Sequence, residues 1–452
     1  MTTPQASFKG QWLTPADPAF AAATEANLWN ELRPNRKPDV IAKVADVEDV
    51  IYAVKYAKEH RLRVCVRGGG HNWACPSLRQ GGLLLDLAAL NKVISIDKEN
   101  RRAVLEPIIS NRQLQAILKP YDLAYPSGHC PTVKLSGYLL SGGMSWNHGV
   151  WGPGTGSIEA IEMVTADGKL ITASEHENQD YFFAARGAGP GFFAIAVRYH
   201  LRLYKLPTNI ACSSYFFPLE DAPAIAKWLG PKADELTPNV ELSLFMVTAT
   251  GDLAKHGKVA LVTATVFANS KEEAEAALRP LESYPQMSRC LSKTFAQPSD
   301  FEGIFDLSEA LWPRPMRCLV DAMLYNEPLV DLVTSTVDHF GKCPSDKTVY
   351  MYAVYTGGSA PALPKDTAFS MTGKLYGGPW TMWDGPENDQ ANIDWHKELL
   401  ELLLPRVHGH YISESSTQLY PEFIEKSFLH PNFARLETLK AKYDPTDLFF
   451  GF

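Results

Sequence analysis

The stretch Arg63-Val64-Cys65-Val66-Arg67-Gly68-Gly69-Gly70-His71 decides how the first part of this chain is read. Arg63 to Val66 is a short β-type run that leads directly into three glycines and a histidine. Glycines placed after a strand let the backbone approach a ligand closely and leave several N–H groups free, which suits a pyrophosphate. The spacing is not Gly-x-Gly-x-x-Gly opening a helix, so it is not the Rossmann fingerprint. Taken alone, the motif fits a plain structural turn equally well.

Working outward, the neighbouring segments alternate helical and strand signals. Val47 to Arg61 predicts a helix, with Ile51, Val54 and Ala57 at helical spacing among Lys and Glu. Gly82 to Leu87, Lys92 to Asp97 and Ala103 to Glu106 read as strands, followed by a helix from the N-cap Ser110 to Lys119. Tyr125 to Gly156 is dense in Gly, Ser and Pro, and is expected to be one long functional loop. Strands follow at Ile158 to Thr165 and Ala194 to Leu203, with a short helix opening at Asn178-Gln179-Asp180. Beyond Leu206-Pro207, strands (Val240 to Thr248, Val259 to Ala268, Thr348 to Tyr355) alternate with helices (Lys271 to Leu281, Asp394 to Leu404), the pattern of an antiparallel sheet covered by helices. The last segment, Pro421 to Phe452, reads as a helix followed by Tyr443-Asp444-Pro445. The fold class is therefore α+β, divided as 1–205, 206–410 and 411–452.

Further informative blocks follow the first. Pro126-Ser127-Gly128-His129-Cys130-Pro131-Thr132-Val133 runs on to Ser141-Gly142-Gly143. Val164-Thr165-Ala166-Asp167-Gly168-Lys169 precedes Asp180-Tyr181-Phe182-Phe183-Ala184-Ala185-Arg186-Gly187-Ala188-Gly189. Near the end stand Asn432-Phe433-Ala434-Arg435-Leu436 and Lys442-Tyr443-Asp444-Pro445. In this order and at these distances, the blocks resemble the FAD-binding oxidases of the vanillyl-alcohol oxidase type. The branch they are most similar to is that of berberine bridge enzyme, glucooligosaccharide oxidase and 6-hydroxynicotine oxidase. The resemblance spans nearly the whole chain. It implies an N-terminal FAD-binding domain completed by the C-terminal segment, and a substrate domain between them.

It also implies roles. His71 stands where the family attaches the 8α-methyl of the flavin, and Cys130 where a subset bonds flavin carbon 6, so the expected cofactor is covalent, bicovalent FAD. A neutral imidazole is a good nucleophile near neutral pH; a merely hydrogen-bonded histidine and a buried thiol are the plainer readings. Arg67, Gly68, Gly69, Gly70, Thr132, Val133, Gly137, Ser141, Gly142 and Gly143 are the other expected cofactor contacts. Val133 occupies the position where valine goes with oxygen access to the reduced flavin. Tyr411, in Tyr411-Ile412-Ser413-Glu414, is the expected base, provided a neighbouring cation or the flavin lowers its pKa. Tyr352, Tyr355, Trp380 and Trp383 are the expected pocket aromatics. Departures from the family pattern are Lys134 after Thr-Val, the acid-free Trp151-Gly152-Pro153-Gly154-Thr155-Gly156, and Gly191-Phe192-Phe193.

The expected reaction transfers hydride from a small organic substrate (an alcohol, saccharide, amine or natural-product intermediate) to flavin N5, with molecular oxygen as acceptor and hydrogen peroxide as product. A dehydrogenase with another acceptor, a flavin-dependent cyclase or tailoring protein, and a non-catalytic flavin-binding protein are the alternatives. Composition agrees with a two-domain globular enzyme: 452 residues, 45% apolar and 21% charged. A net charge of -8 argues against nucleic acid or an anionic membrane surface as partner. No stretch nears the roughly 20 apolar residues that cross a bilayer, and Met1 to Asn27 lacks a signal pattern, so a cytoplasmic protein is expected. Seven scattered cysteines make a poor disulfide framework, and the spacing of Cys65, His71 and Cys75 is not that of a zinc site.

Overall fold

A computed structural model describes residues 8–358 and 362–452 of the chain. The glycine-rich turn leaves a four-stranded sheet ordered Gln11–Leu13, Val40–Lys43, Leu83–Asp86, Val64–Arg67, in which the last three strands are parallel. Parallel strands are buried on both faces, and Val40, Ile41, Leu83, Leu84 and Leu85 have no exposed surface. Helix Val47–Glu59 covers this sheet with Val50, Ala53, Val54 and Ala57. Asp46 caps it by accepting from the Asp49 N–H, satisfying one of the free donors of the first turn.

A second sheet is antiparallel and ordered Val93–Asp97, Arg102–Leu105, Ala194–Arg202, Ile158–Thr165, Leu170–Ser174. Helix Asn111–Leu118 lies against it, opened by a full capping box between Ser110 and Gln113. The long segment 125–156 is not the single loop expected. It holds helix Leu135–Leu140 and the short turns His148–Trp151 and Gly154–Ser157. Its glycines depress helix propensity and hide the periodicity. Tertiary contacts hold it instead, with the Leu135 and Ser136 N–H groups donating to the carbonyls of Ile109 and Pro107.

The third sheet is antiparallel and is built around Asn209–Pro218, Lys258–Ala268, Val240–Thr248, Val349–Val354 and Leu375–Trp383. Helices Ala222–Glu235, Leu329–Gly341 and Asp389–Leu403 contribute to the core on one of its faces. Helix Asp389–Leu403 starts earlier than its sequence pattern suggests, and Lys271–Leu278 ends earlier, as Pro280 follows in a 3-10 turn. The segment after 410 divides between the sheets. Residues 411–416 stay with the large sheet, where the Tyr411 N–H donates to the Ala322 carbonyl and the Ala322 N–H to Glu414. Helix Asn432–Tyr443 then leads to Leu448 and Phe450, which exchange backbone hydrogen bonds with Val64 at the edge of the first sheet.

Candidate active site

A cavity of about 1210 Å³ opens between the glycine-rich turn, the helix Leu135–Leu140 region and the face of the large sheet opposite helices Ala222–Glu235, Leu329–Gly341 and Asp389–Leu403. It exceeds the roughly 300–1,000 Å³ of drug-sized sites. Both His71 and Cys130 line it, brought together from segments far apart in sequence. His71 Nε2 lies 2.7 Å from Thr132 Oγ1 and 3.9 Å from Cys130 Sγ. Burial, then the charges of Arg314 and Lys134, push the His71 imidazole down to about 3, so it is neutral across the physiological range. Burial also raises the Cys130 thiol, against the opposing hydrogen bond from Thr132.

The turn is shaped for close approach. Gly70 has φ +68°, and a Cβ there would stand 2.2 Å from the Asn27 carbonyl oxygen. This is the left-handed region, which glycine enters without steric cost. Gly68, Gly69, Val133, Gly137 and Ser141 face the cavity. Lys134, the departure from the family pattern, lays its stem against Gly69 and also lines the wall. This side-chain-free cradle, two nucleophiles and room for a dinucleotide beside a substrate together fit FAD.

Several expected contacts lie elsewhere. Arg67 does not face the cavity: its guanidinium donates to Asp86 Oδ2 at 2.8 Å and to the carbonyls of Ala23 and Thr24, all inside the protein. It anchors the strand end from which the turn departs. Gly142 and Gly143 pack against rings; a Cβ on either would overlap Phe369 or Tyr138. Thr132 acts on His71 and not on the open wall. Tyr352 points to the helix-covered face, with its hydroxyl 2.8 Å from that of Tyr350. Side chains alternate along a strand, so Val349, Met351 and Ala353 take the cavity side there. Trp383 is likewise turned away, and its Nε1–H donates to Asp389 at 2.7 Å.

Tyr355, Trp380 and Tyr411 do line the cavity. Tyr411 is buried, with the N–H groups of Gly143 and Met144 directed at its phenol oxygen. Burial and the nearby Glu414 push this phenol above its ordinary range, the opposite of the lowering a tyrosine base needs. Glu414 lies beside it, and its carboxylate accepts a hydrogen bond from the Tyr376 hydroxyl. Burial raises the Glu414 carboxyl, with Tyr376 and His129 opposing. A second polar group joins the 125–156 segment to the large sheet: His129 Nε2 is 2.9 Å from Glu241, which also accepts from the His148 N–H at 3.1 Å. Tyr376 and Glu241 carry no local motif, as each is one polar residue in a strand.

Comparison with known proteins bears on the fold and the cofactor. Residues 38–174 match the FAD binding domain family. The FAD-linked oxidoreductase nodO of Hypoxylon pulicicidum is 28% identical over 430 residues, 94% of this chain and 92% of that protein. The crystal structure of 6-hydroxy-D-nicotine oxidase from Arthrobacter nicotinovorans superposes with a TM-score of 0.86 at 23% identity, covering 99% of this chain and 98% of that one. The BBE-like 1 protein of Physcomitrella patens gives 0.83 at 19% identity, covering 98% and 96%. The chain is an FAD-dependent oxidoreductase that shares the fold of these two structures. Among the described residues, no helix is long and apolar enough to cross a membrane.

Proposed function

We propose that this protein is an oxidase that carries FAD covalently on His71 and Cys130. It removes two electrons and two protons from a small organic substrate and delivers them to molecular oxygen, giving hydrogen peroxide. The observation that carries this reading is the pair of nucleophiles, with His71 Nε2 and Cys130 Sγ 3.9 Å apart on one cavity wall. Bound FAD supplies the two-electron relay between substrate and oxygen.

The chain's own groups supply orientation and proton transfer. Glu414 takes the substrate O–H or N–H proton, since a carboxyl raised by burial lies closer to the working pH of a general base. Tyr376 holds the Glu414 carboxylate in place, and Tyr411, kept neutral, donates its hydroxyl to the substrate heteroatom. Val133 on the cavity wall supports oxygen access, in keeping with the family pattern.

The test is a denaturing gel and intact mass of the purified protein beside His71→Ala, Cys130→Ala and the double variant. Flavin should stay with the unfolded wild-type chain and leave entirely only in the double variant. Release of all flavin from the wild type by acid overturns the covalent reading. Oxygen consumption during turnover separates an oxidase from a dehydrogenase, and Val133→Leu should slow reoxidation by oxygen while leaving reduction by substrate unchanged.

A further inference from the structure

The cavity face of the large sheet is not uniformly polar or apolar; it is banded. Cross-strand register places Phe216 beside Leu261, Leu261 beside Phe245, and Phe245 beside Met351. These four form a continuous apolar row across four strands, and all line the cavity. The next row outward continues it, with Val247 and then Val349 paired to Trp380. From the end of helix Phe301–Leu311, Trp312 bridges both rows, its ring centroid 6.3 Å from Phe245 and 5.7 Å from Trp380. Leu311 lies beside it.

Polar groups stand at the edges of this floor. On the inner side a row of hydroxyls, Ser214, Thr263 and Ser243, runs through Ala353 to Tyr376. Tyr376 is therefore one row from Met351, and it carries Glu414. Charged groups of the opposite edge, Asp346 and Lys347, lie beyond Val349 at the outer end. The reactive carboxylate thus sits at one border of an apolar floor wide enough for several rings.

We infer that the substrate is a bulky, mostly apolar alcohol or amine whose single oxidisable group reaches Tyr376 and Glu414 while its hydrocarbon body lies between Phe245, Met351 and Trp312. This rests on the proposed oxidase reading of the cavity and narrows its substrate class. A saccharide carries a hydroxyl on nearly every carbon, and each one buried without a partner costs about 1–3 kcal/mol. The rows between Phe245, Met351 and Trp312 provide no such partners. An apolar body gains from every methylene it buries there.

The experiment titrates the flavin-loaded protein with cyclododecanol and, separately, with cellobiose, following tryptophan fluorescence from Trp312 and Trp380 beside the floor. Cyclododecanol should saturate the signal at far lower concentration than cellobiose. Met351→Asn and Leu311→Asn should each weaken it about tenfold, and Met351→Leu should restore it. Saturation by cellobiose alone, saturation by neither, or an unchanged cyclododecanol affinity in both polar variants overturns the inference. Flavin content, read from the absorption spectrum and matched between the samples so that quenching by flavin is constant, reports on the oxidase proposal separately from the tryptophan signal.

Discussion

His71 Nε2 and Thr132 Oγ1 lie 2.7 Å apart, joining two segments that are 61 residues apart in the chain. The contact fixes the imidazole plane, and the threonine hydroxyl can accept from Nε2–H. When Nε2–H donates to the threonine oxygen, the lone pair is on Nδ1 and is free for attachment. Thr132→Val keeps the shape and removes the partner. A single hydrogen bond is worth about 0.5–1.5 kcal/mol, so flavin attachment should slow by roughly two- to tenfold. The check is a mass-spectrometric time course after adding FAD to flavin-free protein; an unchanged rate removes Thr132 from the attachment step.

Arg67 and Asp86 form an ion pair with side chains 1% and 2% exposed. Removing one partner leaves the other charge buried. Arg67→Ala should therefore cost about 3–5 kcal/mol. Denaturant unfolding should show it as a lower midpoint, and Arg67→Lys should recover only part, as a single ammonium nitrogen does not reproduce the planar fork whose two terminal nitrogens reach Asp86, Ala23 and Thr24. A loss below about 1 kcal/mol, the scale of an exposed pair, would contradict the buried geometry.

Burial pushes the His71 and His148 imidazoles down to about 3, and His410 to about 4. In the unfolded chain each titrates near the ordinary value of about 6.5. Between those limits the unfolded state binds more protons than the folded one, so stability is present above about pH 6.5 and is lost as pH falls through the window to about 3. Melting temperatures of the flavin-free protein measured from pH 7.5 down to pH 4 should fall, and His148→Asn should flatten the slope. A melting temperature that does not change over this range rules out the buried neutral histidines.

Glu414 has the opposite sign. Its folded-state carboxyl is raised above the ordinary 4.5, so the stability it contributes is present below that value and is lost as pH rises through the folded pKa. Its activity runs the other way, since only the carboxylate accepts a proton. The acid limb of kcat/KM should climb through this raised pKa, and Glu414→Gln should lower kcat by about 10²–10⁴ and abolish the limb. Tyr376→Phe should shift the limb upward, because the hydroxyl favours the charged carboxylate. If Glu414→Gln keeps the wild-type pH profile, the base lies elsewhere.

Much of the fold was legible in periodicity. Val47 to Arg61, Ser110 to Lys119 and the strands from Val240 and Val259 read correctly because apolar spacing and capping residues act locally. Helix Leu135–Leu140 did not, since glycine and serine conceal a pattern that neighbouring backbone groups impose. Within the site, the motifs led to His71 and Cys130, while Tyr352 and Trp383 were read to the wrong side. Aromatic content marks a strand but not which face it turns to the cavity. That face depends on register, and a shift of one residue exchanges the two sides.

By itself the sequence determined that a glycine-rich turn ends a strand at His71, that a cysteine stands in a second motif at Cys130, and that the chain carries an FAD-type domain. These are properties of contiguous residues, where backbone freedom and side-chain chemistry are written side by side. The tertiary structure decided that the two nucleophiles meet, that Arg67 is an internal anchor, and that Glu414 rests on Tyr376 beside an apolar floor. Each depends on segments tens to hundreds of residues apart. Their distance and burial, which set pKa and reach, exist only once the sheets have packed.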